Sequence, residues 1–205
     1  MNKLIDAFAA LPTTCISDAL KGISNMNTSI KPLQENYTVC GQAHTVTVPV
    51  NDNLAVLKAI RTANPGDVLV VDAKGYEYNC IGGDFVMGMT KMLGLAGVVV
   101  DGTIRDIVGI KALEFPVFCK GTTVAAGGKA GAGSVGLPIS CGGVTVNPGD
   151  IIVGDADGVV VIPFQQAESI LVLAQEKEKK DKERFECVLR DADSVRRHLD
   201  LVLGQ

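Results

Sequence analysis

The chain has 205 residues, 47% of them hydrophobic and 20% charged, so it can bury a core without disulfides or a structural metal. This composition excludes a disordered or collagen-like chain. The net charge of −4, the aromatic content of 4% and the absence of tryptophan argue against nucleic-acid binding, which uses basic surfaces and stacking platforms.

Cysteine usage and the N-terminus predict a cytoplasmic protein. No C-x-x-C pair occurs, and most cysteines lie in apolar runs, so we expect reduced, mostly buried thiols. The first residues include Asp6 and stop at Pro12, which does not fit a signal peptide. Because no charge-free apolar run reaches 18 residues, we predict no membrane span.

The first segments of the chain predict helices and then a strand. Residues 3–22 indicate two short helices separated at Pro12, with Thr13 or Thr14 as N-cap of the second and Gly22 at its end. Residues 38–50 alternate as a strand does, and Asn51 can cap the helix that follows.

The centre of the chain indicates α/β architecture. Its predicted elements alternate as helix, strand, helix and strand, at residues 84–94, 96–100, 104–113 and 116–119. The first strand is almost continuously apolar, as expected of a strand covered on both faces. Residues 121–163 are glycine-rich and β-like. Residues 165–200 are predicted to be helical, with a solvated charged face at 176–186.

A short internal repeat joins two parts of the chain. Residues 64–75 (NPGDVLVVDAKG) and 147–158 (NPGDIIVGDADG) are identical at eight of twelve positions. Each predicts a Pro-Gly turn, an apolar strand and an Asp/Gly turn. Duplication and convergent turn chemistry both explain the repeat. Residues 155–158 resemble the start of a calcium loop but lack its later ligands, which favours a hairpin turn.

Two glycine-rich motifs do not predict nucleotide binding. Residues 131–136 (GAGSVG) fit G-x-G-x-x-G, but a β-like run follows them where a dinucleotide site needs a helix. Lys129 is followed by Ala130, whereas a phosphate loop needs serine or threonine at that place to hold magnesium.

Two segments carry residues suited to anion and cation binding. A predicted helix starts at Asp84 after two glycines, and its free amides and dipole favour a carboxylate or phosphate. Arg105 and Asp106 follow an apolar strand, where open α/β sheets place ligands. Arg105 offers a planar fork to an oxyanion, and Asp106 offers oxygen to magnesium or manganese. Purely structural roles also explain these residues. Asp84 can be an acid at a helix start, Asp101 and Gly102 can form a turn, and Arg105 and Asp106 can form surface ion pairs with other partners.

At these residues the chain resembles the RraA-like family, which includes the 4-hydroxy-4-methyl-2-oxoglutarate/4-carboxy-4-hydroxy-2-oxoadipate aldolases. The aldolases carry an aspartate, twenty residues and then Arg-Asp, which Asp84, Arg105 and Asp106 match. The resemblance runs from Ser17 to about Pro163 and weakens in the C-terminal helices. Some members have another acid three residues after the Arg-Asp, where this chain has Gly109.

The resemblance implies an α/β fold of the swivelling β/β/α type. It makes residues 1–205 a single domain, with about 165–205 as a C-terminal helical extension. It also implies homotrimers, which sometimes pair into hexamers.

The resemblance also implies the roles of the site residues. Asp106 would hold a divalent metal cation (Mg²⁺ or Mn²⁺), and Asp84 would orient a water on it. Arg105 would bind the oxo or enolate oxygen of a small 2-oxo acid substrate. The pyruvyl carboxylate would bind the backbone amides of Gly83, Asp84, Phe85 and Val86. In the aldolases an acid from a neighbouring subunit also contacts a metal water, and here Glu176 or Glu178 could supply it.

The activity implied is a metal-dependent aldol cleavage of 4-hydroxy-2-oxo acids to pyruvate and a second oxo compound. Oxaloacetate presents the same 2-oxo acid with a carboxylate as leaving group, so decarboxylation is expected as a second activity of the same site.

Two other functions compete with this one. Lys120 follows a predicted strand, where desolvation could prepare it for Schiff-base chemistry; a lysine that extends out of the sheet explains the same position. Some relatives regulate ribonuclease E by protein contact and lack the full Asp/Arg-Asp set. This chain keeps the set, which favours catalysis.

Overall fold

The computed structural model describes residues 2–204, so Met1 and Gln205, the ends of the predicted domain, lie outside the described residues. The helices are α1 Asn2–Ala9, α2 Thr13–Ala19, α3 Leu54–Thr62, α4 Asp84–Met92, α5 Ile107–Ala112, α6 Ala167–Val188 and α7 Ala192–Leu203, with a 3₁₀ turn at Phe164–Gln166. The strands are β1 Lys31–Pro32, β2 Val39–Thr47, β3 Val68–Asp72, β4 Asn79–Cys80, β5 Gly97–Ile104, β6 Val117–Thr122, β7 Ala125–Ala126, β8 Ser134–Val135, β9 Ile139–Cys141, β10 Val144–Val146, β11 Ile151–Asp155 and β12 Gly158–Ile162.

The main sheet is a mixed sheet with the order β1-β6-β5-β3-β2-β11-β12. Its centre, from β6 to β2, is parallel, while β11 and β12 are antiparallel additions. Lys31 Nζ donates to the carbonyl of Asp157 at 2.6 Å, which joins the two outer strands and nearly closes the sheet into a barrel. This mixed α/β fold with C-terminal helices confirms the predicted fold class.

The sheet is buried on both faces, as the apolar strands predict. Along β3, Val68 and Val70 point into the barrel, whereas Leu69 and Val71 pack under α3 and α4. Helices α1, α2 and α6 cover the outer strands β11 and β12 in a third cluster. The helices α3, α4 and α5 thus lie on one side of the sheet, and α3 and α4 contribute to the wall of the cavity described below.

The predicted helix caps were wrong in their details. The N-cap of α2 is Pro12, and Thr13 lies inside the helix, where its amide and hydroxyl donate to the Asp155 carboxylate at 2.9 and 2.7 Å. Asn51 does not cap α3, since it sits in a left-handed turn at φ 61°. The N-cap position belongs to Asn53, and Asp52, the residue before it, supplies the hydrogen bond: its Oδ1 accepts from the amide of Leu54 at 2.8 Å.

Strand β5 is longer than predicted. It continues through the polar residues 101–103 to Ile104, with an irregularity in its pairing to β6, and α5 begins only at Ile107. The Asp101 carboxylate stays buried because the amide of Gly142 donates to its Oδ2 at 3.0 Å and Lys120 Nζ lies 2.8 Å from its Oδ1. The predicted turn at 101–102 is therefore wrong, and Asp101 has a structural partner.

The internal repeat reproduces one turn in atomic detail. The Asp67 Oδ2 accepts from the amide of Asn64 at 2.8 Å, and Asp150 accepts from Asn147 at the same distance. The strands that follow, β3 and β11, pair with the two edges of β2, one in parallel and one antiparallel. The predicted hairpin at 155–158 is confirmed, since it joins β11 to β12. Both origins of the repeat stay open.

Thiol reactivity follows from where the cysteines lie. All six are free, and Cys187 alone among them is exposed. Burial raises the pKa of Cys40 to about 12 and that of Cys119 to about 11, which keeps both as unreactive thiols at neutral pH. We expect a single fast thiol in a native titration with Ellman's reagent at pH 8, and Cys187→Ser should remove it. Two or more fast thiols would contradict the buried positions of the others.

Candidate active site

The predicted site residues converge where β5 ends and α4 and α5 begin. The amide of Arg105 donates to the carbonyl of Gly82 at 3.1 Å, so the segment after β5 runs beside the start of α4. Asp106 is the N-cap residue of α5 and adopts a left-handed conformation at φ 58°, which a short polar residue tolerates better than most. This turn places its carboxylate against α4.

Gly83 leaves the space that the Asp106 carboxylate occupies. A Cβ on Gly83 would lie 2.1 Å from Asp106 Oδ2 and 3.2 Å from Cγ of Arg105. The backbone of Gly83 is extended, at φ −120°, so its role is close approach and not a left-handed turn. Any side chain here would displace the predicted metal ligand.

Gly109 plays the same part for the second carboxylate. A Cβ on Gly109 would lie 2.6 Å from Asp84 Oδ2, so the Asp84 side chain fills the room beside this residue. Some relatives of the family named above carry an acid at this position, and here an acid could fit only if Asp84 moved. The departure from the family pattern is therefore accommodated by the position of Asp84.

The start of α4 offers backbone amides, as predicted. The amides of Gly83, Asp84 and Val86 make no hydrogen bond within residues 2–204. The amide of Phe85 differs, since it donates to Asp84 Oδ1 at 2.7 Å. Three of the four amides proposed to bind a carboxylate are thus free to do so.

Arg105 forms an ion pair with its neighbour. Its Nε lies 3.3 Å from Asp106 Oδ2, and both side chains are about 40% exposed, at 41% and 43%. An exposed pair of this kind contributes about 0–1 kcal/mol to stability. The Nε contact leaves the two terminal nitrogens of the guanidinium free for an oxyanion.

One cavity of about 340 Å³ brings together the predicted residues Gly83, Asp84, Phe85, Val86, Arg105 and Asp106. Its wall also contains Gly82, the first of the two glycines before α4, and residues that the sequence did not indicate: Asn53, Leu57, Cys80, Met89, Ala126, Gly127 and Lys129. Among the apolar members, Leu57 comes from α3 and Met89 from α4, whereas Cys80 and Ala126 belong to β4 and β7. Asn53 and Lys129 add polar groups, and neither belongs to a recognisable motif, so spacing alone could not have found them.

The loop 127–131 is tied to the start of α3. Asp52 Oδ2 accepts from the amide of Gly131 at 2.8 Å, and the amide of Asn53 donates to the carbonyl of Gly128 at 3.0 Å. Backbone hydrogen bonds from Leu54 and Gly131 hold the pKa of Asp52 below its ordinary value. The stabilisation from Asp52 is therefore present at neutral pH and is lost as the pH falls through this lowered pKa.

The carboxylates present fit a hard divalent cation. Asp106 and Asp84 supply oxygen donors, and residues 2–204 contain no group of three or more histidine, cysteine or acidic side chains placed to hold a metal. Mg²⁺ commonly binds one or two carboxylates and completes its octahedron with water and substrate. The pair suits such an ion, whereas a zinc site of histidine and cysteine ligands is not present in this part of the chain.

Lys120 and the C-terminal acids do not line this cavity. Lys120 pairs with the buried Asp101, and its side chain is only 16% exposed, so it does not extend out of the sheet as the alternative to Schiff-base chemistry predicted. Glu178 pairs with Lys182 at 2.7 Å on α6, which packs on α1 and α2. A contribution of Glu176 or Glu178 to a neighbouring subunit stays a prediction.

None of the described helices is long and apolar enough to cross a membrane.

Comparisons with known proteins gave a matching family model and similar sequences. A family model, "RraA-like", described as Aldolase/RraA, matches residues 13–161. A Halalkalibacterium halodurans protein named "Putative 4-hydroxy-4-methyl-2-oxoglutarate aldolase" is 54% identical over 199 residues, or 97% of this chain and 95% of its own. An uncharacterized Methanocaldococcus jannaschii protein is 39% identical over 80% of each chain.

Solved structures share the fold. An uncharacterized protein from Pseudomonas syringae superposes with a TM-score of 0.83 at 27% identity, over 96% of both chains. Streptomyces coelicolor RraAS2, a member of the RNase ES inhibitor RraA protein family, gives 0.80 at 29% identity, over 89% of this chain and 95% of its own. The RNA-processing inhibitor RraA from Thermus thermophilis gives 0.68 at 28% identity, over 74% and 92%.

Proposed function

The chain belongs to the RraA-like family, and from this premise we propose that it is a divalent-metal-dependent aldolase. It would cleave 4-hydroxy-2-oxo acids to pyruvate and a second oxo compound. The observation that carries the proposal is the meeting of Asp84, Arg105 and Asp106 in one cavity, with glycines at 83 and 109 in the space that the carboxylates need. The 54% identical relative with an aldolase name supports the same reaction class.

Different residues of the chain bind different groups of the substrate. The free amides at the start of α4 bind the carboxylate of the 2-oxo acid, because a helix N-terminus favours an anion. The Arg105 guanidinium donates to the 2-oxo oxygen. Asp106 would hold the metal, which when bound polarises the 2-oxo group and lowers the pKa of a bound water. Asp84 would accept a hydrogen bond from that water and orient it.

The bond changes then follow. A base oriented by Asp84 would take the proton of the 4-hydroxyl. The C4 oxygen then forms the new carbonyl as the C3–C4 bond breaks, and the electron pair of that bond moves into the pyruvate enolate. Charge on the enolate oxygen grows in the transition state, where the donors of Arg105 stabilise it. Protonation at C3 gives pyruvate. Oxaloacetate can lose carbon dioxide through the same enolate, so we propose decarboxylation as a second activity.

Removing metal tests the proposal. We expect a sample treated with EDTA and then freed of the chelator to release no pyruvate from 4-hydroxy-4-methyl-2-oxoglutarate, because Asp106 would have lost its cation. Excess Mg²⁺ or Mn²⁺ should restore the rate, as measured with a pyruvate-coupled assay. An unchanged melting temperature of the stripped sample would show that it is still folded. Full activity in a sample verified as metal-free would contradict the mechanism.

The surface beside the site supports assembly into a trimer or hexamer. Exposed apolar side chains cluster on α4 and α5, next to the cavity, and they include Phe85 (77% exposed), Met92, Leu93 and Val108. We expect light scattering to give three or six times the 21.4 kDa chain mass. An active monomer at assay concentration would contradict both the assembly and any role for Glu176 or Glu178 of a neighbour.

A second function rests on the structural neighbours. The similarity to the two proteins whose names describe inhibition of RNA processing or of RNase ES favours a regulator that binds a ribonuclease. Co-purification with ribonuclease E, and inhibition of RNA cleavage by the purified chain, would support this function. The presence of Asp84, Arg105 and Asp106 in one cavity makes it the weaker candidate, since a protein contact does not need them.

A further inference from the structure

The pairing of β5 with β6 contains a β-bulge. Two residues of β5, Asp101 and Gly102, lie opposite a single residue of β6, Lys120, because the register shifts by one between residues 100 and 103. An extra residue of this kind bends its strand, and bulges beside active sites redirect the side chains that follow. This bulge comes directly before the segment that carries Arg105 and Asp106.

A buried ion pair joins the two sides of the bulge. Lys120 Nζ lies 2.8 Å from Asp101 Oδ1, and the two side chains are only 16% and 12% exposed. The lysine is the one cationic partner of this oxygen within residues 2–204, while the amide of Gly142 donates to Oδ2 at 3.0 Å. Lys120 therefore holds the Asp101 carboxylate in place, and with it the backbone of the bulge.

Two glycines make room for this arrangement. A Cβ on Gly102 would lie 2.9 Å from the Cβ of Ala73, so the bulge accepts no side chain there. A Cβ on Gly75 would lie 3.0 Å from Lys120 Nζ, and the amide of Gly75 donates to the Asp101 carbonyl at 3.0 Å. The turn after β3 thus fits closely around the ion pair and the bulge.

The segment after the bulge reaches the site in one register. The amide of Arg105 donates to the carbonyl of Gly82 at 3.1 Å. Loss of the bulge would shift this segment by one residue, about 3.3 Å, and would turn its side chains to the opposite face. The Asp106 carboxylate fills the space beside Gly83, where even a Cβ has no room, so its position depends on that register.

We propose that Asp101 and Lys120 are positioning residues for the candidate site, an inference that rests on the proposed function for its effect on catalysis. Their ion pair fixes the bulge, and the bulge sets the register at which Arg105 and Asp106 meet the start of α4. Neither residue of the pair lines the cavity, so both act through the backbone of β5 and not on the substrate.

Neutral variants separate positioning from stability. Lys120→Met leaves a buried carboxylate unpaired and should lower the melting temperature. Asp101→Asn combined with Lys120→Met removes both charges and should restore most of that loss. In this double variant we still expect Mn²⁺ to bind about tenfold to a hundredfold more weakly, as for other residues that orient a metal ligand. An EPR titration of the protein with Mn²⁺ measures the affinity.

The matched control is a second buried carboxylate that also pairs with a lysine. Lys74 Nζ lies 2.5 Å from Asp72 Oδ2 at the end of β3, a strand whose pairing shows no shift of register. Lys74→Met should lower the melting temperature and leave the Mn²⁺ affinity at the parent value. An equal loss of affinity in Lys74→Met, or parental affinity in the double variant, would overturn the inference.

Amide hydrogen exchange followed by NMR gives a readout that needs neither metal nor substrate. The amide of Thr123 donates to the carbonyl of Ile104 at 2.9 Å, after the bulge, and the amide of Val98 bonds before it. In the double variant the amides of Arg105 and Thr123 should exchange faster, while Val98 keeps its protection. Parental exchange at all three, or an equal rise at all three, would overturn the inference.

Failure of the proposed function gives a different pattern. If the unmodified protein neither binds Mn²⁺ nor releases pyruvate, the aldolase function and the catalytic effect of the ion pair are both overturned. Mn²⁺ binding and cleavage in the unmodified protein, together with parental affinity in the double variant, would overturn the positioning role alone.

Discussion

Replacing Arg105 with alanine is expected to lower kcat by on the order of a hundredfold or more, about 3 kcal/mol, by analogy with the loss of an oxyanion donor. The guanidinium has free nitrogens in the cavity and contacts Asp106 through Nε alone. Because enolate charge develops in the transition state, the loss should appear in kcat more than in KM. The measurement is kcat at saturating metal and substrate.

The alternative for Arg105 is an ordinary surface ion pair, which predicts a different result. In that case the alanine variant would change stability by about 1 kcal/mol or less and leave turnover nearly intact. Arg105→Lys keeps the charge without the planar fork, so partial recovery is expected if the oxygen needs two donors. A kcat within threefold of the parent for Arg105→Ala would assign the residue a structural role.

Substitution of Asp106 with asparagine should remove activity and metal dependence together. The change keeps the size of the side chain and a residue type that tolerates the left-handed turn at φ 58°. It removes the negative charge that would hold the cation, and we expect a loss of about 4 kcal/mol, roughly a thousandfold in rate, as for the removal of a Lewis acid. The rate should be measured across a series of Mg²⁺ concentrations.

A second variant tests the position of the Asp106 carboxylate without removing it. Gly83→Ala keeps both charged residues but puts a Cβ into the space of the Asp106 carboxylate, so it should mimic the loss while the chain stays folded. Gly88→Ala, on the same helix, is the comparison, since its nearest contact would be 4.0 Å from a leucine side chain. Near-parental activity in Gly83→Ala would show that the position of the carboxylate is not critical.

Several parts of the fold could be predicted because local chemistry specifies them. The Asn-Pro-Gly-Asp turns at 64–67 and 147–150 form through their own aspartate side chains, which is why the same turn appears twice in different surroundings. Helix α4 starts at Asp84 after two glycines, as its sequence predicts. The caps of α2 and α3 were mistaken because a distant residue, Asp155, and an adjacent one, Asp52, took the bonds that pattern assigned elsewhere.

The end of β5 shows where local pattern stops being sufficient. Asp101 looked like the start of a turn, because an isolated carboxylate rarely stays inside a sheet. It stays there because Lys120 from β6 and the amide of Gly142 lie beside it, more than fifteen residues away in sequence. Strand and helix boundaries therefore depended on partners that no local window contains.

The residues of the candidate site could be predicted from the sequence alone: an aspartate, an arginine-aspartate pair and glycines at set spacings, on segments that end or begin regular elements. The groups that share a cavity with them became visible in the folded chain. The fold placed Asn53 and Lys129 there and kept Lys120, Glu176 and Glu178 out of it within this chain. The reason is physical, since spacing along one segment predicts neighbours on that segment, whereas a cavity is made by the packing of segments far apart in the chain.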